Sequence, residues 1–529
     1  MTGAAGGAAG ARLPARRRTS ARELLDGVLD RGSFVSWDTA PGAGAVPDTY
    51  RSELAAAAER SGTDESILTG EGRVNGRRVA VAVSEFGFLG GSIGLAAAHR
   101  LVALFDRATA EGLPVLASPA SGGTRMQEGT PAFVSMIGIS AAVRRHRLAG
   151  LPYLVYLRHP TTGGVMASWG SQGHITVAEP GALLGFLGPR VYETIYGRPF
   201  PAGVQVAENL QANGLIDAVV PADELAAVVD RALRILSPAS PEDDDAATPA
   251  ASAPQAGLAD PGQLLPSGPE RVWDAISATR DPRRPSVRHL LKYGASDVMP
   301  LSGTGQGERD PRMFLALARL GGHACVVVGQ DRGPERAEPL GPAFLREARR
   351  GMRLSEQLSI PLVTVIDTEG AALSREAEEG GLAGEIARSI TELIGLRTPT
   401  VSVLLGQGTG GGALALLPAD RTIAAENAWL SPLPPEGASA IVYRDTEHAA
   451  ELAAEQHVDS ASLRAAGIVD VVVPEPDSAS ARPREFSRAM ARAVSTALRE
   501  VSALPVASLL TGRERKYAAV SLPAASAGR

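Results

Sequence analysis

Residues 154–168 read LVYLRHPTTGGVMAS, and residues 401–415, placed 247 positions later, read VSVLLGQGTGGGALA. In both stretches a run of apolar residues ends in glycines and then passes into small residues. A continuous apolar run of this kind is typical of a buried parallel strand, and the glycines favour a turn into a helix. The two stretches therefore predict one strand, turn and helix unit that occurs twice in the chain.

A second pair of segments keeps the same offset, because GLPVLASPASGGTR (112–125) aligns with SIPLVTVIDTEGAA (359–372). The flanking segments alternate between strands and helices: RRVAVAVSEF and HACVVVGQD are predicted strands, and AAAHRLVALFDRATAEG and FLREARRGMRLSEQLS have helical spacing. Short apolar strands separated by helices indicate parallel sheets covered on both faces. The predicted fold class is α/β, in two tandem copies.

The chain length also requires more than one domain, because 529 residues exceed what a single core organises. We assign residues 20–236 and 270–510 to the two domains. Residues 237–269 are rich in Pro, Ala, Ser and Asp, and this composition predicts a flexible linker. Residues 1–19 and 511–529 are predicted to be tails.

Composition excludes several classes of function. A formal net charge of −6 spread over the chain indicates neither nucleic-acid nor membrane binding, and no apolar run reaches membrane-spanning length. We therefore expect a cytoplasmic protein. The single cysteine, Cys325, excludes an internal disulfide and a cysteine-rich zinc site, and its apolar surroundings predict a buried strand residue.

The glycine turns after the strands are the candidate site. A helix start presents unpaired N–H groups, glycine lets a ligand oxygen approach the backbone, and two such turns can form an oxyanion hole. Tight turns with close helix packing would give the same pattern, and the pattern alone leaves both interpretations open. The sequence contains no phosphate-binding loop, nucleophile elbow or histidine metal motif, and Glu128 and Glu379 are more typical of solvated or capping carboxylates.

These motifs resemble those of the carboxyltransferase component of biotin-dependent acetyl-CoA carboxylase, whose two halves are each crotonase-like. The first domain is similar to the β subunit through EFGFLGGSIG, SGGTRMQEG and ITVAEPGALLGFLGPRV. The second is similar to the α subunit through IDTEGA, GQGTGGGALAL, LPPEGASAI and AAGIVDVVVPEP. The resemblance covers about four fifths of the chain, and it implies two tandem crotonase-like domains.

The resemblance implies transfer of a carboxyl group from carboxybiotin, held on a biotin carboxyl carrier protein, to acetyl-CoA, giving malonyl-CoA. Biotin carboxylase would be a further partner, and no metal or side-chain base is implied. The implied oxyanion donors for the acyl-CoA are Gly122, Gly123, Gly163 and Gly164. Those for biotin are Gly370, Ala371, Gly411, Gly412 and Ala413. The expected CoA contacts are Phe88, Gly90, Gly91 and Ser92. Arg125 and Arg190 are expected near the mouth of the site from their neighbourhood in the sequence alone, and arginines on a solvated rim are the open alternative.

The family also forms its active site between the first domain of one chain and the second domain of another, which implies a homodimer or a higher homo-oligomer. Two features depart from the family. The zinc-ribbon cysteines are missing, and Glu369 stands where the family usually has Pro. A carboxylate beside a biotin oxyanion hole would oppose developing negative charge. A non-catalytic scaffold subunit is therefore one alternative. A malonyl decarboxylase or transcarboxylase is another, because malonate decarboxylase has similarly built subunits.

Overall fold

The computed structural model describes residues 18–42, 46–236, 268–331, 339–475 and 477–520. Most of the predicted linker and nearly all of the predicted N-terminal tail lie outside these residues. The helices and strands described below form two halves that follow each other along the chain.

The first half contains eight helices among its described residues: α1 (Ala21–Val28), α2 (Asp48–Ser61), α3 (Leu95–Ala110), α4 (Gly129–Leu148), α5 (Gly163–Met166), α6 (Pro189–Tyr196), α7 (Ala207–Ala212) and α8 (Leu225–Leu236). Its strands are β1 (Val35–Ser36), β2 (Ile67–Val74), β3 (Arg77–Ser84), β4 (Val115–Ser118), β5 (Tyr153–Leu157), β6 (Thr161–Thr162), β7 (Ile175–Ala178), β8 (Leu184–Gly185) and β9 (Ala218–Val219).

The helices of the second half are α9 (Pro269–Thr279), α10 (Val287–Gly294), α11 (Pro342–Leu358), α12 (Arg375–Glu379), α13 (Leu382–Ile394), α14 (Gly410–Leu414), α15 (Pro435–Val442), α16 (Ala449–Glu455), α17 (Ser460–Ala465), α18 (Pro483–Ser502) and α19 (Val506–Ala518). Its strands are β10 (Ala295–Leu301), β11 (Met313–Leu320), β12 (His323–Gln330), β13 (Leu362–Thr368), β14 (Thr400–Thr409), β15 (Arg421–Ala425), β16 (Trp429–Ser431) and β17 (Val471–Val473).

The two main sheets repeat one topology. In the described residues the first sheet has the order β1-β2-β3-β4-β5-β7-β9, and the second has the order β10-β11-β12-β13-β14-β15-β17. Each starts with two antiparallel pairings and continues with parallel ones. The predicted α/β class and the duplication are therefore confirmed.

Apolar patterning explains why these elements form. Strands β4, β5, β13 and β14 are buried along their whole length, as expected for parallel strands in a sheet that is covered on both faces. Helix α3 buries Leu101, Leu104 and Phe105 on one side, which matches the spacing of an amphipathic helix. Cys325 lies in β12 and is fully buried, as predicted.

The halves are joined by a continuous core and by buried polar contacts. Helix α8 of the first half packs against β10 and β11 of the second. Arg350 donates to Asp217 Oδ1 at 2.8 Å, across the boundary. Gly214 and Gly303 approach so closely that a Cβ on Gly303 would lie 2.2 Å from the Cα of Gly214. Both positions therefore require glycine.

The C-terminal region differs from the prediction. Residues 511–518 were assigned to a tail, but they complete helix α19. The reason is Arg513, which is fully buried and donates from Nε to Asp420 Oδ1 at 2.8 Å. Within the described residues no single helix is long and apolar enough to cross a membrane, although α18 and α19, bent by 119°, meet the length and composition criteria as a pair.

Candidate active site

Two glycine turns of the first half meet at one edge of its sheet. They follow β4 and β5, which are adjacent and parallel, so their carboxyl ends lie side by side. A Cβ on Gly163 would lie 3.2 Å from the Cα of Gly123, and both glycines have positive φ, +64° and +108°. The turns are also joined by a hydrogen bond from the Thr162 N–H to the Ser121 carbonyl at 2.9 Å. The structure thus brings the two predicted turns together.

The N–H groups at this meeting point are not equivalent. Gly122 N–H donates to the Gly90 carbonyl at 2.9 Å, and Gly123 N–H donates to Ser121 Oγ at 3.0 Å. By contrast, the N–H groups of Thr124 and Gly164 have no acceptor among the described residues. These two N–H groups are therefore the ones available to a ligand oxygen.

This result revises the predicted donors. Gly122 and Gly123 shape the turn, and their N–H groups are used inside the protein. Gly163 N–H is used as well, because it donates to the Phe186 carbonyl at 2.8 Å. Thr124 was missed, although the 247-residue offset pairs it with Ala371, which was named as a donor.

The second half repeats this arrangement. Gly370 has φ +129°, and its N–H donates to Thr368 Oγ1 at 3.1 Å, as Gly123 does to Ser121. The N–H of Ala371 has no acceptor in the part of the chain that the structure describes. A Cβ on Gly412 would lie 3.9 Å from the Ala371 nitrogen, so the two turns of this half also meet.

Helix α14 determines which of its N–H groups are available. It begins at Gly410, so Gly411 and Gly412 lie in its first turn, where N–H groups have no intrahelical acceptor. Ala413 is the fourth helical residue, its N–H faces the carbonyl of the capping residue Thr409, and it is fully buried. The prediction of Ala413 as a donor is therefore not supported by its position in the helix.

Glu369, which departs from the family pattern, has an exposed side chain. Water screens an exposed carboxylate, so its effect on a nearby developing charge is small.

The segment predicted to bind CoA packs against the first glycine turn, residues 121–124. Residues Leu89–Gly91 form a turn of 3₁₀ helix, and a Cβ on Gly91 would lie 2.0 Å from the Ala120 carbonyl oxygen. Phe88 is buried, whereas Gly90 and Ser92 are half-buried. The backbone of this segment therefore packs directly against the turn and accepts the hydrogen bond of the Gly122 N–H.

Arg125 was predicted at the mouth of the site, but it is buried. Its guanidinium forms a salt bridge with Glu65, with Nη1 donating to Oε2 at 2.9 Å, and Nη2 donates to the Ser92 carbonyl at 2.7 Å. Burial alone would lower the pKa of Arg125, but the hydrogen bonds and attraction of Glu65 outweigh it and raise that pKa. Arg125 thus anchors the turn that carries Thr124. Arg190 falls in α6, and its side chain lies outside the described part of the chain.

The titratable groups near the turns serve structural roles. Glu128 accepts from Tyr50 Oη at 2.6 Å and from the Leu95 N–H, at the start of α3. Together with burial, this bond to Glu128 raises the pKa of Tyr50 to about 12. Burial lowers the pKa of His146 to about 4, so this imidazole is neutral at pH 7. Among the described residues, no group of three His, Cys, Asp or Glu side chains could hold a metal ion.

Comparisons with known proteins identify relatives over nearly the whole chain. The family model "Carboxyl transferase domain" matches residues 14–506. The probable biotin-dependent acyl-coenzyme A carboxylase beta3 subunit of Mycobacterium tuberculosis is 57% identical over 507 residues, covering 96% of this chain and 99% of that protein. The acetyl-coenzyme A carboxylase carboxyl transferase subunits beta/alpha of Salinispora arenicola are 35% identical, covering 95% and 91%.

Solved structures show the same fold at low identity. Transcarboxylase 12S, described as a hexamer and crystallised with methylmalonyl-coenzyme A, superposes with a TM-score of 0.68 at 21% identity, covering 91% of this chain and 90% of that one. A single-chain long-chain acyl-CoA carboxylase gives a TM-score of 0.66 at 18% identity, covering 90% of this chain and 46% of that one. The predicted tandem crotonase-like architecture is confirmed by this likeness.

Proposed function

Because this chain belongs to the carboxyl transferase family of the biotin-dependent acyl-CoA carboxylases, we propose that it transfers the carboxyl group of carboxybiotin to acetyl-CoA, forming malonyl-CoA. The observation that carries this proposal is the duplicated pair of turns, each with N–H groups that have no acceptor among the residues that the structure describes. Two reactants that each develop negative charge on a carbonyl oxygen require two such sites.

In the first half, the N–H groups of Thr124 and Gly164 would bind the thioester oxygen of the acyl-CoA. As the α carbon loses its proton, negative charge grows on this oxygen, and fixed donors stabilise it without reorganising. Loss of one such donor costs about 3–4 kcal/mol of activation free energy. Gly163 and Gly123 keep the donors in place, because any larger residue would separate the two turns.

In the second half, the N–H groups of Ala371, Gly411 and Gly412 would bind the ureido oxygen of biotin. The fit is supported by the crowding around these glycines, since a Cβ on Gly411 would lie 2.6 Å from Ile386 Cδ1. When bound, carboxybiotin would supply the carboxyl group, and the biotin left after its loss would supply the base for the α proton. The protein then needs only to bind, orient and polarise the two reactants.

A second copy of the chain would complete the site. Each half exposes an apolar surface beside its donor turns, and the two surfaces match at the 247-residue offset: Phe186 with Leu433, Ile195 with Val442, and Tyr196 with Tyr443. Contiguous exposed apolar side chains mark interaction surfaces. The Phe186 carbonyl accepts from Gly163, so the surface borders the donors directly.

This arrangement suits a twofold dimer. A twofold axis would place the first-half surface of one chain on the second-half surface of the other, and the same contact would form twice. The acyl-CoA donors of one chain would then face the biotin donors of its partner. The remaining partners in this proposal are a biotin carboxyl carrier protein and a biotin carboxylase.

Reconstitution tests the proposal. The purified chain is supplied with carboxylated biotin carrier, labelled in the carboxyl group, and with acetyl-, propionyl- or malonyl-CoA. Labelled malonyl-CoA from acetyl-CoA is the expected result. A second arm supplies uncarboxylated carrier and malonyl-CoA labelled in its free carboxyl group. Label on the carrier in this arm, with no malonyl-CoA formed in the first, would instead indicate a transcarboxylase or decarboxylase, and no exchange in either arm would indicate a scaffold.

Two variants connect the activity to the turns. Gly123→Val and Gly411→Val should each abolish transfer while the chain remains folded. The matched control is Gly512→Val, because Gly512 lies in helix α19 with no atom within 4 Å of an added Cβ. Full activity in either of the first two variants would refute the assigned sites.

A further inference from the structure

Thr124 and its counterpart Ala371 differ in one chemical group. Both residues follow a glycine of positive φ, and both have an N–H without an acceptor among the described residues. Only Thr124 carries a hydroxyl. This hydroxyl makes no hydrogen bond to the described residues. Thr124 is half-buried, and its hydroxyl oxygen is not among the buried polar atoms that lack a partner, so the oxygen is accessible. A ligand in the first site can therefore reach it.

The hydroxyl lies beside the two backbone donors. Thr124 Oγ1 is 3.1 Å from the position that a Cβ on Gly164 would take, and the Gly164 nitrogen is 3.4 Å from a Cβ position on Gly123. Met136 lies on the same side of Gly164, with its Cγ and Cε 3.6 Å from the same Cβ position. The hydroxyl is thus the polar side chain next to Gly164, on a side otherwise lined by apolar atoms.

We propose that the Thr124 hydroxyl is a third donor to the thioester oxygen, and hence a catalytic residue of the acyl-CoA site. This inference rests on the proposed function. An O–H donor to an anionic oxygen forms a stronger hydrogen bond than one to a neutral carbonyl. The bond therefore strengthens as negative charge develops on the oxygen, so it acts mainly on kcat. The β-branched side chain restricts χ1 and limits the positions of the hydroxyl.

The difference between the halves follows from this role. The acyl-CoA oxygen would be held by two N–H groups and one hydroxyl, whereas Ala371 offers biotin an N–H alone. The two sites, similar in backbone, would thus differ in how strongly they favour the charged form of their ligands.

Variants at this position separate the hydroxyl from the backbone donor. Thr124→Ala gives the residue that the second half has, Thr124→Val keeps the shape without the hydroxyl, and Thr124→Ser keeps the hydroxyl. We expect kcat for carboxylation of acetyl-CoA to fall by about 10- to 100-fold in the first two, with KM changed by less than about threefold, and to stay within about fivefold of wild type in Thr124→Ser. Thr130→Ala, an exposed threonine at the start of α4, is the control and should behave as wild type.

The reverse reaction provides the second readout. Carboxylation of the biotin carrier by malonyl-CoA is the exact reverse of the forward reaction and passes through the same transition state, so the same variants should lose about the same factor. Unchanged kcat in Thr124→Ala and Thr124→Val, or an equal loss in Thr124→Ser and Thr124→Val, would overturn the inference. So would a rise in KM alone. If wild type itself transfers no carboxyl group, the proposed function fails; if wild type is active and the variants match it, only the role of Thr124 fails.

Discussion

Gly123→Ala tests the contact between the two turns with the smallest possible side chain. At φ +108° an alanine is strained by about 1–3 kcal/mol. Its Cβ would also lie 3.3 Å from the Gly163 Cα and 3.4 Å from the Gly164 nitrogen, so the second turn must move by a few tenths of an ångström. Because the displaced atom carries one of the donors, malonyl-CoA formation should fall by about 100-fold or more.

The same backbone strain should also lower the stability of the folded chain. A strain of that size lowers the melting temperature by about 2–12 °C, measured by calorimetry. Gly122→Ala is the matched control, because Gly122 is exposed and its added Cβ would lie 3.7 Å from the closest atom, the Gly90 carbonyl oxygen. It should keep most of the activity. Normal transfer by Gly123→Ala, or an equal loss in Gly122→Ala, would refute the assignment of donors.

Three further predictions concern buried groups. Glu65→Gln should lower the free energy of unfolding by about 1–3 kcal/mol in denaturant titrations, because the buried Arg125 guanidinium then keeps, among the described residues, only Glu128, whose Oε1 lies 3.5 Å from its Nη1, as a carboxylate partner. Asp48→Asn, at an exposed ion pair, should change it by less than about 1 kcal/mol, and equal effects of the two variants would contradict this. Burial raises the pKa of Cys325 to about 12, so a thiol reagent at pH 8 should modify it only after unfolding, and rapid modification of the folded chain would contradict its burial. Burial raises the pKa of Glu347 from 4.5 to about 7, so the stability that it contributes is complete below about pH 4.5 and is lost as the pH rises through 7. The free energy of unfolding in urea should therefore be higher at pH 5 than at pH 8 in wild type, and this difference should be absent in Glu347→Gln. The same change in the free energy of unfolding between the two pH values in both proteins would contradict the prediction.

The sequence was sufficient for the fold and for the approach of the two glycine turns in each half. The apolar runs of β5 and β14 and the glycines after them follow a local pattern, and their recurrence at one offset predicted both pairs of turns. Because neighbouring parallel strands end at the same edge, the approach of Gly123 to Gly163 followed from the order of the strands.

The sequence did not reveal which individual N–H groups donate hydrogen bonds inside the protein and which have no acceptor among the described residues. Gly122 donates to Gly90, a residue 32 positions earlier in another turn, and this contact depends on the packing of two loops. Arg125 was expected near the mouth of the site from its neighbourhood in the sequence, but Glu65, 60 positions away, pairs with it inside the protein. Such long-range pairings leave no periodic signal in the sequence.

The last helix shows the same limit. Its sequence was interpreted as a tail because the apolar pattern ends near its beginning. Arg513 is nevertheless buried, because Asp420, 93 residues earlier, and the carbonyls of Leu393 and Leu396 accept its hydrogen bonds. A charged residue in a segment predicted to be a tail can thus form part of a core when its partners are distant in the sequence.

The central claim is that the acyl-CoA donors of one chain work with the biotin donors of another, and mixed oligomers test it most directly. Gly123→Val and Gly411→Val chains, each inactive alone, are co-expressed in equal amounts, purified together and assayed for malonyl-CoA formation. If the site forms between chains, pairing at random restores one intact site in half of the pairs, so the activity should be about a quarter of wild type. If each chain uses its own two halves, every site carries one damaged turn, and an inactive mixture would contradict the account.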